Sequence, residues 1–347
     1  ISMACMYSFY ETGEINRSRI LIQLAAVVLG LIVALVLSAI DYEFLAKLWK
    51  IHAPVALLLV LATFVFGVAP NINAPDDKAW LDLGITTFQP SELLKISFIL
   101  TFAYHLSKVG DDINHLKPFL LLCLHGMVPV VLVVIQGDLG TASVFLILFV
   151  VMIFVAGLSI RWIAVGVAAA GAAAPFIWFF VLSDTLRNRI LVALQPETDA
   201  IGMGMQQYLG RITFGSGGLS GNGLASENIY NPVPEAYNDF IFSYIGQTLG
   251  FVGVIITLLL ILLLCVKILM TAKMAKDRLS TFICIGVFAM MLFQSAINIG
   301  MVLCVVPVIG ITLPLFSLGG TSTLITYMAI GLVLSVYRQN KKDLMFD

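Results

Sequence analysis

Three polar side chains at one-turn spacing are the first candidates for chemistry in this sequence. Asp239 stands where a polar loop passes into a long apolar run, and Ser243 and Gln247 follow at intervals of four residues. Residues four apart lie on one face of a helix. A polar stripe that enters a bilayer is costly, and such stripes usually face a cavity or a partner helix. The spacing therefore predicts a polar site at a membrane boundary, with a carboxylate at its edge.

A second set of charged residues opens another apolar run, which begins near Pro90. Proline suits the first turn of a helix, and the carboxylate of Glu92 complements the positive end of the helix dipole. Lys95 follows one turn later, roughly 7 Å inside the helix start. Position alone favours an ion pair between Lys95 and Glu92, or a lysine that extends towards the interface. The alternative is a cation kept at the membrane boundary for a phosphate.

Two further polar positions lie at or near helix ends. Asp138 is part of the tight turn QGDLG, residues 136–140, where it is either the N-cap of the following helix or a second carboxylate near a site. Gln294 and Asn298 are four residues apart and share a helix face. An interhelical hydrogen bond is the simplest interpretation of that pair.

The glycine-rich segment GSGGLSGNG, residues 215–223, resembles a phosphate cradle. It lacks the lysine and the preceding strand of a nucleotide-binding P-loop. We therefore expect a flexible loop or a backbone contact to an anion, and not a nucleotide site.

The composition indicates a membrane protein. Of the 347 residues, 60% are hydrophobic and 11% are charged, whereas about a quarter of a soluble domain is charged. The apolar runs predict an all-α, polytopic fold with about ten transmembrane helices in a single domain, residues 1–347, and one long extracellular loop, about residues 183–239, between helices 7 and 8. The runs lie at roughly residues 1–10 (a helix cut short), 20–40, 53–69, 90–107, 118–135, 140–157, 162–182, 241–268, 279–306 and 315–337.

The placement of positive charge predicts the orientation. With a cytoplasmic N-terminus, the inner loops hold twelve of the 19 Lys and Arg residues, as the positive-inside rule expects. These are Lys47, Lys50, Lys108, Lys117, Arg161, Lys267, Lys273, Lys276, Arg278, Arg338, Lys341 and Lys342. The long loop and Asp239 then lie outside the cell. All five cysteines fall in apolar runs without a CxxC pair, so disulfide and zinc sites are weak interpretations.

Five segments together resemble one family. They are WLDLGITTFQPSELLK, QGDLGTA, GRITFGSGGLSGNGL, VPEAYNDFIFSYIGQTLGFVG and PVIGITLPLFSLGGTST. In this order and with ten-helix spacing they resemble the SEDS family (shape, elongation, division and sporulation; RodA/FtsW/SpoVE-like), over almost the whole chain. The resemblance implies a peptidoglycan glycosyltransferase that polymerises lipid II at the outer face of the bacterial cytoplasmic membrane. It also implies a partner, a class B penicillin-binding protein that acts as the transpeptidase.

The resemblance assigns roles to the candidate residues. The family's essential loop aspartate falls on Asp239, which we expect to be the general base of an inverting displacement at a polyprenyl-pyrophosphate-linked sugar. Lys95, with Arg189 or Arg211, would offset the charge of the pyrophosphate. The other predicted substrate-binding residues are Gln89, Glu92, Asp138, Ser243, Gln247 and Asn298. The sequence requires no cofactor and has no evident metal-ligand cluster, and it leaves open whether a divalent cation (Mg or Mn) takes part.

Two positions depart from the family pattern. Ala79 stands where the family usually has a basic residue before its tryptophan, with Lys78 one place earlier, and Gln247 stands where many members have glutamate. The first departure weakens a phosphate-binding or loop-bracing role at that position. The second removes one charge from the expected cavity. Neither changes Asp239.

Other functions fit parts of the same pattern. A lipid II flippase is the main alternative, since polar intramembrane stripes and broken helices also occur in transporters. The unusual features gather on the predicted outer side, which favours chemistry at one surface. A non-catalytic scaffold of a wall-synthesis complex would not need Asp239, and another polyprenyl-linked sugar transferase would not need all five segments. The sequence indicates no nucleic-acid partner and does not separate roles in elongation, division and sporulation.

Overall fold

Helices make up most of the computed structural model, which describes residues 1–69, 78–84, 86–182, 184–224 and 233–343. Its α-helices are α1 (Ser2–Glu11), α2 (Arg17–Ala39), α3 (Tyr42–Lys47), α4 (Trp49–Phe66), α5 (Pro90–Val109), α6 (Leu116–Ile135), α7 (Leu139–Val155), α8 (Ile160–Phe176), α9 (Asp184–Ala193), α10 (Met205–Ser216), α11 (Ile241–Lys273), α12 (Arg278–Val302) and α13 (Gly320–Asp343). The all-α class is confirmed. Parts of two predicted loops, residues 70–77 and 225–232, lie outside the described residues.

Each of the ten predicted spans contains a helix. These helices are α1, α2, α4, α5, α6, α7, α8, α11, α12 and α13. Seven of the described helices are long and apolar enough to cross a membrane, namely α2, α4, α6, α8 with the π-helical turn Ile177–Val181, α11, α12 and α13. The helix α7 is apolar but shorter. The chain is therefore an integral membrane protein.

The last two predicted spans end differently in the structure. The helix α12 ends at Val302 and α13 begins at Gly320, whereas the sequence predicted spans to about residue 306 and from about residue 315. Pro307 and Pro314 have no N–H group for a helical hydrogen bond. Gly310 has a φ of 68°, which favours glycine. Residues 303–319 therefore form an irregular segment between the two helices.

The chain packs as two compact units, each assembled from segments that are distant in sequence. The first unit comprises Ile1–Asn16, Leu158–Ile261 and Gln294–Leu318, and the second comprises Arg17–Gly157, Leu262–Phe293 and Gly319–Asp347. The predicted single domain over residues 1–347 stays a prediction, because a compact unit need not fold independently.

The helix α5 is the centre of the second unit. Ile99, Phe102 and Ala103 are fully buried in it, and the ring of Phe98 stacks on that of Phe102 with centroids 5.1 Å apart. Burial of aromatic and aliphatic side chains on several faces of α5 leaves little room for unpaired polar groups. The polar residues of this helix therefore need partners inside the unit.

A small antiparallel sheet in the second unit was not predicted. Its strands are β1 (Gly67–Val68), β2 (Trp80–Asp82) and β3 (Thr87–Phe88), in the order β1-β2-β3. Trp80 and Leu81 both belong to β2. Ala79 directly before this strand is fully buried. The departure from the family pattern thus places a small buried residue where the pattern has a basic one.

The long loop of the first unit contains two helices that the sequence did not reveal, α9 and α10. The buried side chain of Gln207 connects α10 to the end of α12 and to the irregular segment. Its Nε2 donates hydrogen bonds to the carbonyl oxygens of Met301, at 3.1 Å, and Val306, at 2.8 Å. Gly210 lies against the ring of Phe240, where a Cβ would come within 2.7 Å of Cδ1. The helix α10 is thus packed against the end of α12, the start of the irregular segment and Phe240, all in its own unit.

Candidate functional site

The backbone around Asp239 is held from two directions. Residues 233–240 form turns that lead into α11. The N–H of Leu318 donates to the carbonyl oxygen of Tyr237 at 2.8 Å, and Nδ2 of Asn298 donates to the carbonyl oxygen of Asp239 at 2.7 Å. Asp239 itself is only partly exposed, while its neighbour Phe240 is buried. A fixed backbone therefore carries Asp239, a residue that solvent still partly reaches.

The Asp239 carboxylate lies beside the irregular segment 303–319. A Cβ built on Gly310 would come 3.8 Å from Oδ2 of Asp239. The positive φ of Gly310, 68°, is costly for any other residue. The chain can therefore bring its backbone close to the carboxylate at this position.

Ser243 and Gln247 point into the interior of the first unit. Ser243 is fully buried, and its hydroxyl donates to the carbonyl oxygen of Phe240 at 2.7 Å. Gln247 is 4% exposed. The hydroxyl hydrogen of Ser243 is already donated to the backbone at the start of its helix. The Ser243 oxygen can therefore only accept a hydrogen bond from any other group. Their predicted roles in substrate binding stay predictions.

The glycine-rich segment braces a break in α11. At Gly250 the backbone leaves helical geometry, with φ 64° and ψ −164°. The N–H groups of Asn222 and Gly223 donate to the carbonyl oxygens of Gln247 and Thr248, at 2.9 and 3.0 Å. In return, the N–H groups of Phe251 and Val252 donate to the carbonyl oxygens of Gly218 and Leu219, at 2.9 and 3.2 Å.

These bonds change the interpretation of residues 215–223. A helix break leaves N–H and C=O groups without helical partners, and inside a membrane protein each needs a new one. The glycine-rich segment supplies partners to both sides of the break. The N–H groups of Asn222 and Gly223 already donate to the carbonyl oxygens of Gln247 and Thr248. The expectation of a flexible loop or of a backbone contact to an anion is therefore wrong for these two groups.

The second unit contains a separate buried polar cluster. Nζ of Lys95 lies 2.7 Å from Oε1 of Glu92, with side-chain exposures of 1% and 8%. Nε2 of Gln89 donates to Oδ2 of Asp138 at 2.7 Å, and Oδ1 of Asp138 accepts the N–H of Thr141 at 2.8 Å. Asp138 is therefore an N-cap of α7, as one of the two interpretations predicted. Burial raises the pKa of its carboxyl group, which lies in the turn before that helix.

The two arginines of the long loop differ in their surroundings. Arg211 of α10 forms an exposed ion pair with Glu197 at 3.2 Å. Arg189 of α9 is exposed. Ion pairs of the first kind contribute little to stability and open readily.

The structure thus gathers the predicted site residues in two groups. Those in the first unit are Asp239, Ser243, Gln247, Asn298, Arg189 and Arg211, and those in the second unit are Gln89, Glu92, Lys95 and Asp138. Gly310 was not among the predicted residues. A glycine between two prolines, Pro307 and Pro314, was the only sequence signal for Gly310.

Fold and site together define a class: a multi-span membrane protein with a carboxylate on a held backbone at a helix start and, in its second unit, a buried polar cluster that contains an ion pair. Comparison with known proteins identifies the family. The family model for FtsW, RodA and SpoVE, described as cell cycle protein, matches residues 1–342, and the chain belongs to this family.

Individual relatives are similar over most of their length. The chain is 32% identical to the peptidoglycan glycosyltransferase MrdB of Escherichia coli (strain K12), over 92% of this chain and 85% of that protein. A chain from a solved peptidoglycan synthase complex, in which polymerisation and crosslinking are coordinated, matches with a TM-score of 0.82 and 31% identity, covering 98% and 96% of the two chains. The rod shape determining protein RodA of Thermus thermophilus matches with a TM-score of 0.70 and 29% identity, covering 97% and 94%.

Proposed function

We propose that this chain is a peptidoglycan glycosyltransferase that polymerises lipid II into glycan strands. The observation that carries the proposal is Asp239, a partly exposed carboxylate on a backbone held by Asn298 and Leu318 at the start of a membrane helix. A relative that is 32% identical over 92% of the chain carries the name peptidoglycan glycosyltransferase. The proposed location is the outer face of the bacterial cytoplasmic membrane, and the concentration of Lys and Arg in the predicted inner loops supports it.

The proposed reaction is a displacement at the anomeric carbon of the donor sugar. The 4-hydroxyl oxygen of the acceptor forms a bond to that carbon, and the bond from the carbon to the polyprenyl pyrophosphate breaks with its electron pair on the phosphate oxygen. Asp239 takes the hydroxyl proton as general base. One displacement inverts the anomeric configuration, whereas retention requires two displacements.

The leaving group determines what else the site needs. Pyrophosphate departs as a stabilised anion, so charge neutralisation is required and a strong general acid is not. Arg189 is exposed in the same unit as Asp239, while Arg211 is engaged with Glu197. Arg189 is therefore our first choice in this unit for the cation that offsets the phosphate charge.

The requirement for a divalent cation is a separate proposal. Among the described residues, no three His, Cys, Asp or Glu side chains gather in a geometry that could hold a metal ion. We therefore write the reaction without a protein-bound metal. These residues are also compatible with an Mg²⁺ or Mn²⁺ ion that the pyrophosphate oxygens alone would hold. Polymerisation in excess EDTA, with and without added Mg²⁺, decides whether the reaction needs a divalent cation.

A class B penicillin-binding protein is the proposed partner, since a glycan polymer becomes a wall only when its peptides are crosslinked. The similarity to a chain of a peptidoglycan synthase complex that coordinates polymerisation and crosslinking supports an assembly with a crosslinking partner. The role of this chain in elongation, division or sporulation would then depend on which class B penicillin-binding protein it binds.

The test uses the purified full chain with labelled lipid II, alone and with candidate partners, and separates glycan polymer on a gel. Asp239→Asn removes the base without changing side-chain size, and we expect a loss of about 100-fold or more in rate. Glu235→Gln is the matched control, because Glu235 is an exposed carboxylate on the same turn segment. Polymer formed by Asp239→Asn at the parental rate would exclude the base assignment.

Two further outcomes distinguish the alternative functions. Transfer of labelled lipid II between the leaflets of a vesicle, without polymer, would indicate a flippase. An increase in polymer made by a partner enzyme, unchanged by Asp239→Asn, would indicate a scaffold.

A further inference from the structure

Asn298 has a geometry that a role in substrate binding does not explain. Its side chain is fully buried, and Nδ2 lies 2.7 Å from the carbonyl oxygen of Asp239 and 2.8 Å from that of Ile311. Carbonyl oxygens only accept hydrogen bonds, so the atom that faces both of them is the amide nitrogen. Both hydrogens of this amide are engaged by the protein backbone, which leaves no Asn298 donor for a substrate.

The two carbonyl groups belong to the two chain segments beside the candidate base. One is the carbonyl of Asp239 itself. The other follows Gly310, the residue whose Cβ position is 3.8 Å from Oδ2 of Asp239. A single side chain thus fixes the backbone that carries the carboxylate and the backbone that lies next to it.

This arrangement has an energetic cost. Within the described part of the chain, Oδ1 of Asn298 is buried without a hydrogen-bond partner. A buried unsatisfied acceptor is destabilising, and an apolar residue of similar shape would avoid that cost. An apolar residue could not donate hydrogen bonds to the carbonyl oxygens of Asp239 and Ile311. The unsatisfied Oδ1 of Asn298 is therefore consistent with a need to connect these two backbone segments.

We infer that Asn298 is a positioning residue, which sets the place of the Asp239 carboxylate by joining the backbone of Asp239 to that of Ile311. This inference rests on the proposed function, and it replaces the substrate-binding role predicted for Asn298. The residue acts through Asp239 and touches no reacting atom.

The chain offers a matched control in Gln207. This buried amide in the same unit also donates two hydrogen bonds to carbonyl oxygens, those of Met301 and Val306, at 3.1 and 2.8 Å. Neither bond involves Asp239 or Ile311. Gln207→Ala therefore removes a comparable amount of buried hydrogen bonding without releasing the candidate base.

The experiment compares Asn298→Ala, the milder Asn298→Ser and Gln207→Ala in the full chain, with its partner present. Polymerisation kinetics should show kcat reduced about 100-fold in Asn298→Ala, since small displacements of a catalytic group have effects of this size. The KM for lipid II should stay within about threefold, because no substrate contact is lost. Asn298→Ser should be intermediate, and Gln207→Ala should keep near-parental kcat despite a lower Tm.

Amide hydrogen exchange gives a readout that does not depend on activity. Asn298→Ala should raise exchange in residues 238–243 and 309–313, and Gln207→Ala only around residues 301–306. Equal losses of kcat in the two alanine variants, or unchanged exchange near Asp239 in Asn298→Ala, would overturn the inference. If the parental chain makes no polymer, the proposed function fails, and the exchange data still decide whether Asn298 holds Asp239.

Discussion

Nζ of Lys95 lies 2.7 Å from Oε1 of Glu92, and the two side chains are 1% and 8% exposed. The pair is one turn apart on α5, within the core of the second unit. The two side chains therefore neutralise each other. Charged groups buried this deeply are tolerated only because each has the other as its partner. This contact gives Lys95 a structural role that is independent of any substrate.

Removal of one member of this pair should destabilise the protein strongly. Lys95→Ala leaves a buried carboxylate without its partner, and we expect unfolding to become easier by about 3–5 kcal/mol. The double variant Lys95→Met/Glu92→Leu should recover most of this loss, because two apolar side chains replace two charges. Thermal unfolding in detergent measures both. Parental polymerisation by a stable double variant would contradict the predicted phosphate-binding role of Lys95.

Asp138 should make stability depend on pH above the ordinary pKa of its carboxyl group. Burial raises the pKa of its carboxyl group in the folded chain above its ordinary value of 3.8, so the folded state binds its proton more tightly than the unfolded state. Stability therefore falls as pH rises from the unfolded to the folded pKa, and it is greatest below both. Asp138→Asn keeps an N-cap side chain and should flatten this part of the Tm–pH curve. An unchanged slope would contradict the assignment.

Gly250 should not tolerate a side chain. Its φ is 64°, and a Cβ there would come 2.6 Å from the carbonyl oxygen of Leu219 in the glycine-rich segment. Strain in this region of φ and ψ alone costs about 1–3 kcal/mol, so Gly250→Ala should lower stability by about 2 kcal/mol or more. Gly215→Ala is the control, because among the described residues no atom outside its own stretch of helix lies within 4 Å of its Cβ position. Equal Tm values for the two variants would argue against the brace.

Arg189 and Arg211 should respond differently to truncation. Arg189→Ala removes an exposed cation, and we expect the KM for lipid II to rise about tenfold, as for the loss of a charge-assisted contact. Arg211 is paired with Glu197, and both side chains are about half exposed. Arg211→Ala should therefore change stability by less than about 1 kcal/mol, with KM near the parental value. The reverse order of KM effects would assign the phosphate contact to Arg211.

Much of the fold follows from the sequence because membrane spans are determined by local composition. A run of about 20 apolar residues must form a helix that satisfies its own backbone hydrogen bonds in lipid. The ten predicted spans all contain helices for this reason. The two short helices of the long loop, α9 and α10, were not predicted because neither is a long apolar run. The strands β1, β2 and β3 were not predicted because they are too short to show a pattern of alternation.

The sequence by itself determined the membrane class, the family resemblance and the position of Asp239 at a helix start. The sequence also predicted the ion pair of Lys95 with Glu92, and the structure added its deep burial. Only the tertiary structure showed that Asn298 joins Asp239 to Ile311 and that residues 217–223 brace the break at Gly250. These contacts connect residues tens of positions apart or engage backbone groups. Backbone N–H and C=O groups are present at nearly every position, so their partners depend on the path of the chain in space and not on residue type.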